Sequence, residues 1–97
     1  MSSDFSVDIA QGQGGGKATY HESPHRHVFE WEYGGGATLA IVYAPTPEDW
    51  PKELPWAADR REEVLVRVAA GFIREKQARY TPIVHARGVD VVERGSA

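Results

Sequence analysis

Residues 27–44, HVFEWEYGGGATLAIVYA, decide the fold. From His27 to Tyr33 the side chains alternate, with His27, Phe29, Trp31 and Tyr33 on one side and Val28, Glu30 and Glu32 on the other. A repeat of two is that of a β-strand, and the contrast between the two sides predicts one buried face and one wet face. Gly34, Gly35 and Gly36 then supply a turn, because glycine reaches positive φ without steric cost. Ala37–Ala44 is apolar on both sides, which predicts a strand in the middle of a sheet, covered on both faces.

Upstream, Ala18–Glu22 reads as another strand, joined to the next by a turn at Ser23, Pro24 and His25. Residues 1–16 are rich in Ser, Gln and Gly, a composition with little apolar surface to offset backbone entropy. They are expected to form a flexible N-terminal tail, leaving residues 17–97 as a single α+β domain. The alternation of Phe5, Val7 and Ile9 with polar residues supports an alternative, a short edge strand or partner-docking strand.

Downstream, Thr46 as N-cap, Pro47 in the first turn and Asp49 as an approximate capping box predict one helical turn, with Pro51 expected to stop it. A longer helix is expected from residues 55–59 to about residue 78. In it Leu65, Val68, Ala69, Phe72 and Ile73 make one apolar stripe, and Glu63 and Arg67 form an i, i+4 pair. Thr81–Ala86 and Val89–Glu93 are β-rich and flank Arg87 and Gly88, giving a hairpin or one long strand with a glycine bulge. The expected fold class is therefore α+β: a small antiparallel or mixed sheet in β-β-β-α-β-β order, with one long amphipathic helix on one face.

Composition sets the outer limits. With 97 residues, 41% hydrophobic and 26% charged, the elements must share one small core. There is no cysteine, so disulfides, thiolate ligands and thiol nucleophiles are excluded. No apolar run approaches the roughly 20 residues of a membrane-spanning helix, and the first residues lack the basic and apolar regions of a secretory signal. A cytoplasmic protein with no membrane partner is expected. The formal charge of −3 is unevenly spread, the first 51 residues holding Lys17 and Arg26 against seven acidic side chains. That balance argues against a general nucleic-acid binder.

Few residues suggest chemistry. His21, His25 and His27 crowd the first hairpin, with Glu22 beside them. If His21 and His27 faced each other across paired strands they would present two imidazoles to a divalent metal, with His25 or Glu22 as third ligand. Their spacing matches no structural-zinc signature, and solvated turn histidines are the plainer reading. His85 stands alone in a strand. The glycines before Lys17 depart from a phosphate-binding loop at Gln11 and Ala18, where a glycine and a hydroxyl are required. Glu30 and Glu32 share a strand face and read as its wet side rather than as an acid–base pair. Arg60, Arg61, Arg67, Arg74, Lys76 and Arg79 alternate with Glu62, Glu63 and Glu75, the pattern of a solvated ion-paired face.

No nucleophile–base set and no cofactor loop is present, so no cofactor is expected. The expected function is a non-catalytic protein–protein interaction module, binding a partner or itself, for example as an inhibitor or immunity-type protein. The central strand is apolar on both faces, and only one long helix is available to cover them, so a homodimer is the expected assembly. The alternative is a metal-binding sensor or a metal- or His-dependent enzyme built on His21, His25 and His27.

Overall fold

The computed structural model describes residues 4–74 and 79–93. The strands are β1 (Ser6–Gly12), β2 (Gly15–Glu22), β3 (His25–Tyr33), β4 (Thr38–Tyr43), β5 (Tyr80–His85) and β6 (Gly88–Glu93). A short helix α1 (Trp50–Glu53), a 3-10 turn (Pro55–Ala57) and helix α2 (Arg61–Ile73) lie between β4 and β5. The strands form a six-stranded sheet in the order β1-β2-β3-β4-β6-β5. Every neighbouring pair is antiparallel. The fold is therefore α+β, and the observed order is four strands, helix, two strands.

The added strand is β1, inside the segment that composition assigned to a flexible tail. Its partner is β2, with Val7 opposite Tyr20 and Ile9 opposite Ala18. Val7 is buried, and Ile9 packs against the core. Two apolar residues on one side of a strand outweigh a glycine-rich average once a helix lies over them. The glycines serve the hairpin instead, with Gly14 at φ +83° in the turn between Gly12 and Gly15.

Two helix boundaries also differ from expectation. Pro51 does not end the first helical turn; it lies within the first turn of α1, where its missing N–H has no partner to lose. The Thr46 hydroxyl still accepts a hydrogen bond from the Asp49 N–H at 3.3 Å. The long helix starts at Arg61, because residues 55–57 form the tighter 3-10 turn. Its expected extension over residues 75–78 lies outside the described residues.

α2 and α1 cover one face of the sheet. That face supplies Val7, Ala18, Tyr20, Phe29, Trp31, Ala40, Val42, Val89 and Val91 to the core. The helical layer supplies Trp50, Leu54, Val64, Leu65, Val68, Ala69 and Phe72. Trp31 meets Phe72 edge to face, and Phe29 stacks on Trp50 at 6.1 Å. The Trp50 Nε1–H donates to the Ala57 carbonyl at 2.8 Å, which ties α1 to the 3-10 turn. At Gly71, in the last turn of α2 and on its buried face, a Cβ would lie 2.9 Å from Val7 Cγ1. Glycine there costs about 1 kcal/mol of helix propensity and lets the helix settle onto the edge strand. Among the described residues no helix is long and apolar enough to cross a membrane.

Candidate functional site

The pleat that buries Phe29 and Trp31 turns Val28, Glu30 and Glu32 to the uncovered face of the sheet. Opposite Glu30 stands Tyr43, and opposite Glu32 stands Ile41. Asp90 lies across from both Ile41 and Ile83, so the surface continues over β4, β6 and β5. Val28, Tyr43 and Ile83 are 44%, 41% and 50% exposed. Partial desolvation, the charge and hydrogen bond of Glu32 and the charge of Asp90 raise the Tyr43 phenol above its ordinary pKa, against the pull of Arg87. The open face thus interleaves aromatic and aliphatic side chains with acidic ones, Asp90 lying between Ile41 and Ile83. Lys17 pairs with Glu30 at 3.4 Å, but both side chains are well exposed and such a pair contributes little.

Among the described residues the central strand is therefore covered on one face only, by the helical layer. Ala40 and Val42 point into the core, and Ile41 and Tyr43 do not.

The three hairpin histidines do not form a ligand set. His27 lies opposite Tyr20, on the helix-covered face, whereas His21 lies opposite Arg26, on the open face. Alternation along paired strands separates them, because one is an even and the other an odd step from the buried Tyr20. His21 contacts Asp8 at 3.1 Å. His25 stacks on Trp56 with ring centroids 4.7 Å apart, and His27 tilts against Phe29 at the same separation. Burial lowers the His27 pKa, and the charge of Glu53 opposes that shift. Glu22 is turned away from these rings toward α2. Among the described residues no group of three or more His, Asp or Glu is placed to hold a metal. His85 contacts Asp90 at 3.0 Å across the β5–β6 hairpin.

The arginines of α2 are less solvated than their spacing implied. Arg60 donates to both carboxylate oxygens of Glu22, at 3.3 and 3.0 Å. The buried Tyr20 hydroxyl donates to Glu22 at 2.7 Å and accepts from Arg67 at 2.9 Å. Arg67 also meets Glu63 at 2.8 Å, the i, i+4 pair visible in the sequence. Burial raises the Glu22 pKa, but the Tyr20 hydrogen bond and the two guanidiniums outweigh it, and the carboxyl is held below its ordinary value. Arg61 reaches the other way, donating to the carbonyls of Pro45, His85 and Ala86. These side chains fasten the helix to β2 and to two loops. The sequence suggested Glu22 only as a companion of the hairpin histidines and did not single out Tyr20, since Arg60 lies 38 positions from Glu22 and Arg67 lies 47 from Tyr20.

A cavity of about 310 Å3 opens at the other end of the helix, between Ile9, Leu39, Trp31 and Phe72, with Gln11 and Tyr33 as its polar groups. The Tyr33 hydroxyl donates to Gln11 Oε1 at 2.9 Å. Trp31 Nε1, sealed from solvent, has no hydrogen-bond partner among the described residues. Among the described residues the cavity lining carries no charged side chain and so offers no acid–base pair and no anion-binding group.

Fold and surface together define a six-stranded antiparallel sheet with helices on one face and, among the described residues, an open surface of interleaved apolar and acidic side chains on the other. No protein-family model, no curated protein and no solved structure matches this chain.

Proposed function

We propose that the protein is a non-catalytic interaction module, and that the open face of its sheet binds a protein partner bearing a basic surface. The observation that supports this is the placing of Tyr43, Ile41 and Ile83 among Glu30, Glu32 and Asp90. Apolar groups at the centre of a patch give affinity when desolvated, and charges at its rim select the partner and steer its approach. The acids ask for Lys or Arg opposite them. The same charges oppose a two-fold stacking of this face on itself, because an axis near Tyr43 would bring the acidic cluster onto its own copy. Self-association is thus the competing occupant.

Site-specific photocrosslinking in the native cells tests the reading. A crosslinker at Ile83 should capture a basic protein, and one at Val66 on the outer side of α2 should not. Capture should weaken with salt and be lost in Glu30→Lys/Glu32→Lys. Capture of a second copy of this chain, equal capture at both positions, or indifference to charge reversal would each overturn it.

A further inference from the structure

β1 and β5 are the two edges of the sheet, and they are not equivalent. In β5, Pro82 lies opposite Val91 and has no N–H, so that edge offers an incomplete row of donors. Proline on an edge strand is a common guard against pairing with another chain. β1 has no proline, and on the side away from β2 its alternate N–H and C=O groups meet no neighbouring strand among the described residues.

The helix makes this edge a site. Arg67, Ala70, Gly71 and Arg74 follow at i, i+3, i+4 and i+7, one stripe of α2 that overhangs the strand. Between the stripe and Phe5–Asp8 runs a groove of about 490 Å3. Its middle is open over Ala70, which is small and exposed, while Gly71 lies close against Val7, and its two ends are cationic. Arg67 is engaged by Glu63 and Tyr20 and lies over the Phe5 ring, 4.3 Å from its centroid. Arg74 is exposed and has no ion pair among the described residues.

We propose that β1 is a docking edge for an extended segment of a partner protein, which joins the sheet beside β1 and carries an apolar residue followed two positions later by Asp or Glu. Main-chain hydrogen bonds to β1 hold such a segment in register, and its alternate side chains turn toward the helix. The apolar side chain occupies the space over the exposed Ala70, and the carboxylate reaches Arg74. A basic side chain at that place would meet the Arg74 guanidinium instead. A second copy of β1 is a poor occupant, because the residues it would turn to the helix are Val7 and Ile9, while its Asp8 faces the other way. This edge is separate from the open face of the sheet, and its test does not involve Glu30 or Glu32.

The probe is the peptide acetyl-Thr-Val-Thr-Glu-Thr-Val-Thr-amide, titrated into the full chain and followed by backbone amide NMR. Shifts should be confined to residues 5–12 and 67–74, and the variant peptide with Lys for Glu should bind about tenfold more weakly. In Arg74→Glu, an exposed position whose change leaves the core intact, the preference should reverse to the Lys peptide. The proposal fails if millimolar peptide shifts nothing at β1, if the shifts lie elsewhere, if Arg74→Glu keeps the original preference, or if the added peptide competes with a dimer formed through β1.

Discussion

The Trp31 ring meets the Phe72 ring edge to face, with centroids 5.0 Å apart and planes at 79°. This contact joins the centre of the sheet to the last turn of α2. Removing Phe72 should therefore open both layers. Phe72→Ala is expected to cost about 3–5 kcal/mol, a large share of the stability of so small a domain. Trp31→Phe should differ: it keeps an aromatic ring and removes an indole N–H that has no partner among the described residues. Its cost should stay within about 1 kcal/mol, because the lost contacts are offset by the lost desolvation penalty. Urea unfolding measures both, and equal losses would mean that Trp31 Nε1 finds an acceptor in solution.

The Glu22 network should behave as one unit. Glu22→Ala leaves Arg60, Arg67 and the buried Tyr20 hydroxyl short of an acceptor, and about 2 kcal/mol should be lost. Tyr20→Phe removes one hydroxyl and should cost about 1 kcal/mol. A double-mutant cycle of Glu22→Ala with Arg60→Ala should show a clear coupling energy; strict additivity would show the pair to be as ineffective as an exposed one.

Stability should fall in two stages on acidification. The His27 pKa is lowered by burial from 6.5, so the unfolded chain binds a proton that the native state refuses. Stability therefore rises with pH between the folded value and 6.5, and is lost as pH drops through that window. Glu22 is also depressed, from 4.5, so its contribution is present above 4.5 and disappears as pH falls through the folded value. Thermal midpoints of His27→Gln should be flatter from pH 7 to 5, and those of Glu22→Gln flatter below 4.5. Unchanged profiles would refute the assignments.

Loss of the first strand should be felt in the core. A chain lacking residues 1–12 exposes the faces that Val7 and Ile9 cover, and its thermal midpoint should drop by well over the few degrees expected for a tail. Gly71→Ala should be destabilising, despite the better helix propensity of alanine, because the new methyl meets Val7 Cγ1. Gly71→Ala combined with Val7→Ala should recover part of that loss. If Gly71→Ala is stabilising by itself, the helix and β1 do not approach as closely as described.

Local pattern was enough for the elements it controls. The alternation from His27 to Tyr33, the apolar run through Ile41, the stripe Leu65, Val68, Ala69 and Phe72, and the break at Arg87 and Gly88 all appear as strand, strand, helix and hairpin. A side-chain period of two or of about 3.6, a continuous apolar run and a glycine break are each properties of the chain itself. Tertiary structure decided the rest. It made β1 a strand by laying α2 over Val7 and Ile9, and it sent His21 and His27 to opposite faces through the register of β2 on β3. It brought Arg60 and Arg67 to Glu22 from a helix that begins nearly 40 residues away, left Pro82 on one edge of the sheet and placed Arg74 above the other. None of these is periodic along the chain. Each depends on which strands pair, in which register, and on which face the helix lies, and those choices are made by the packing of the whole core rather than by any stretch within it.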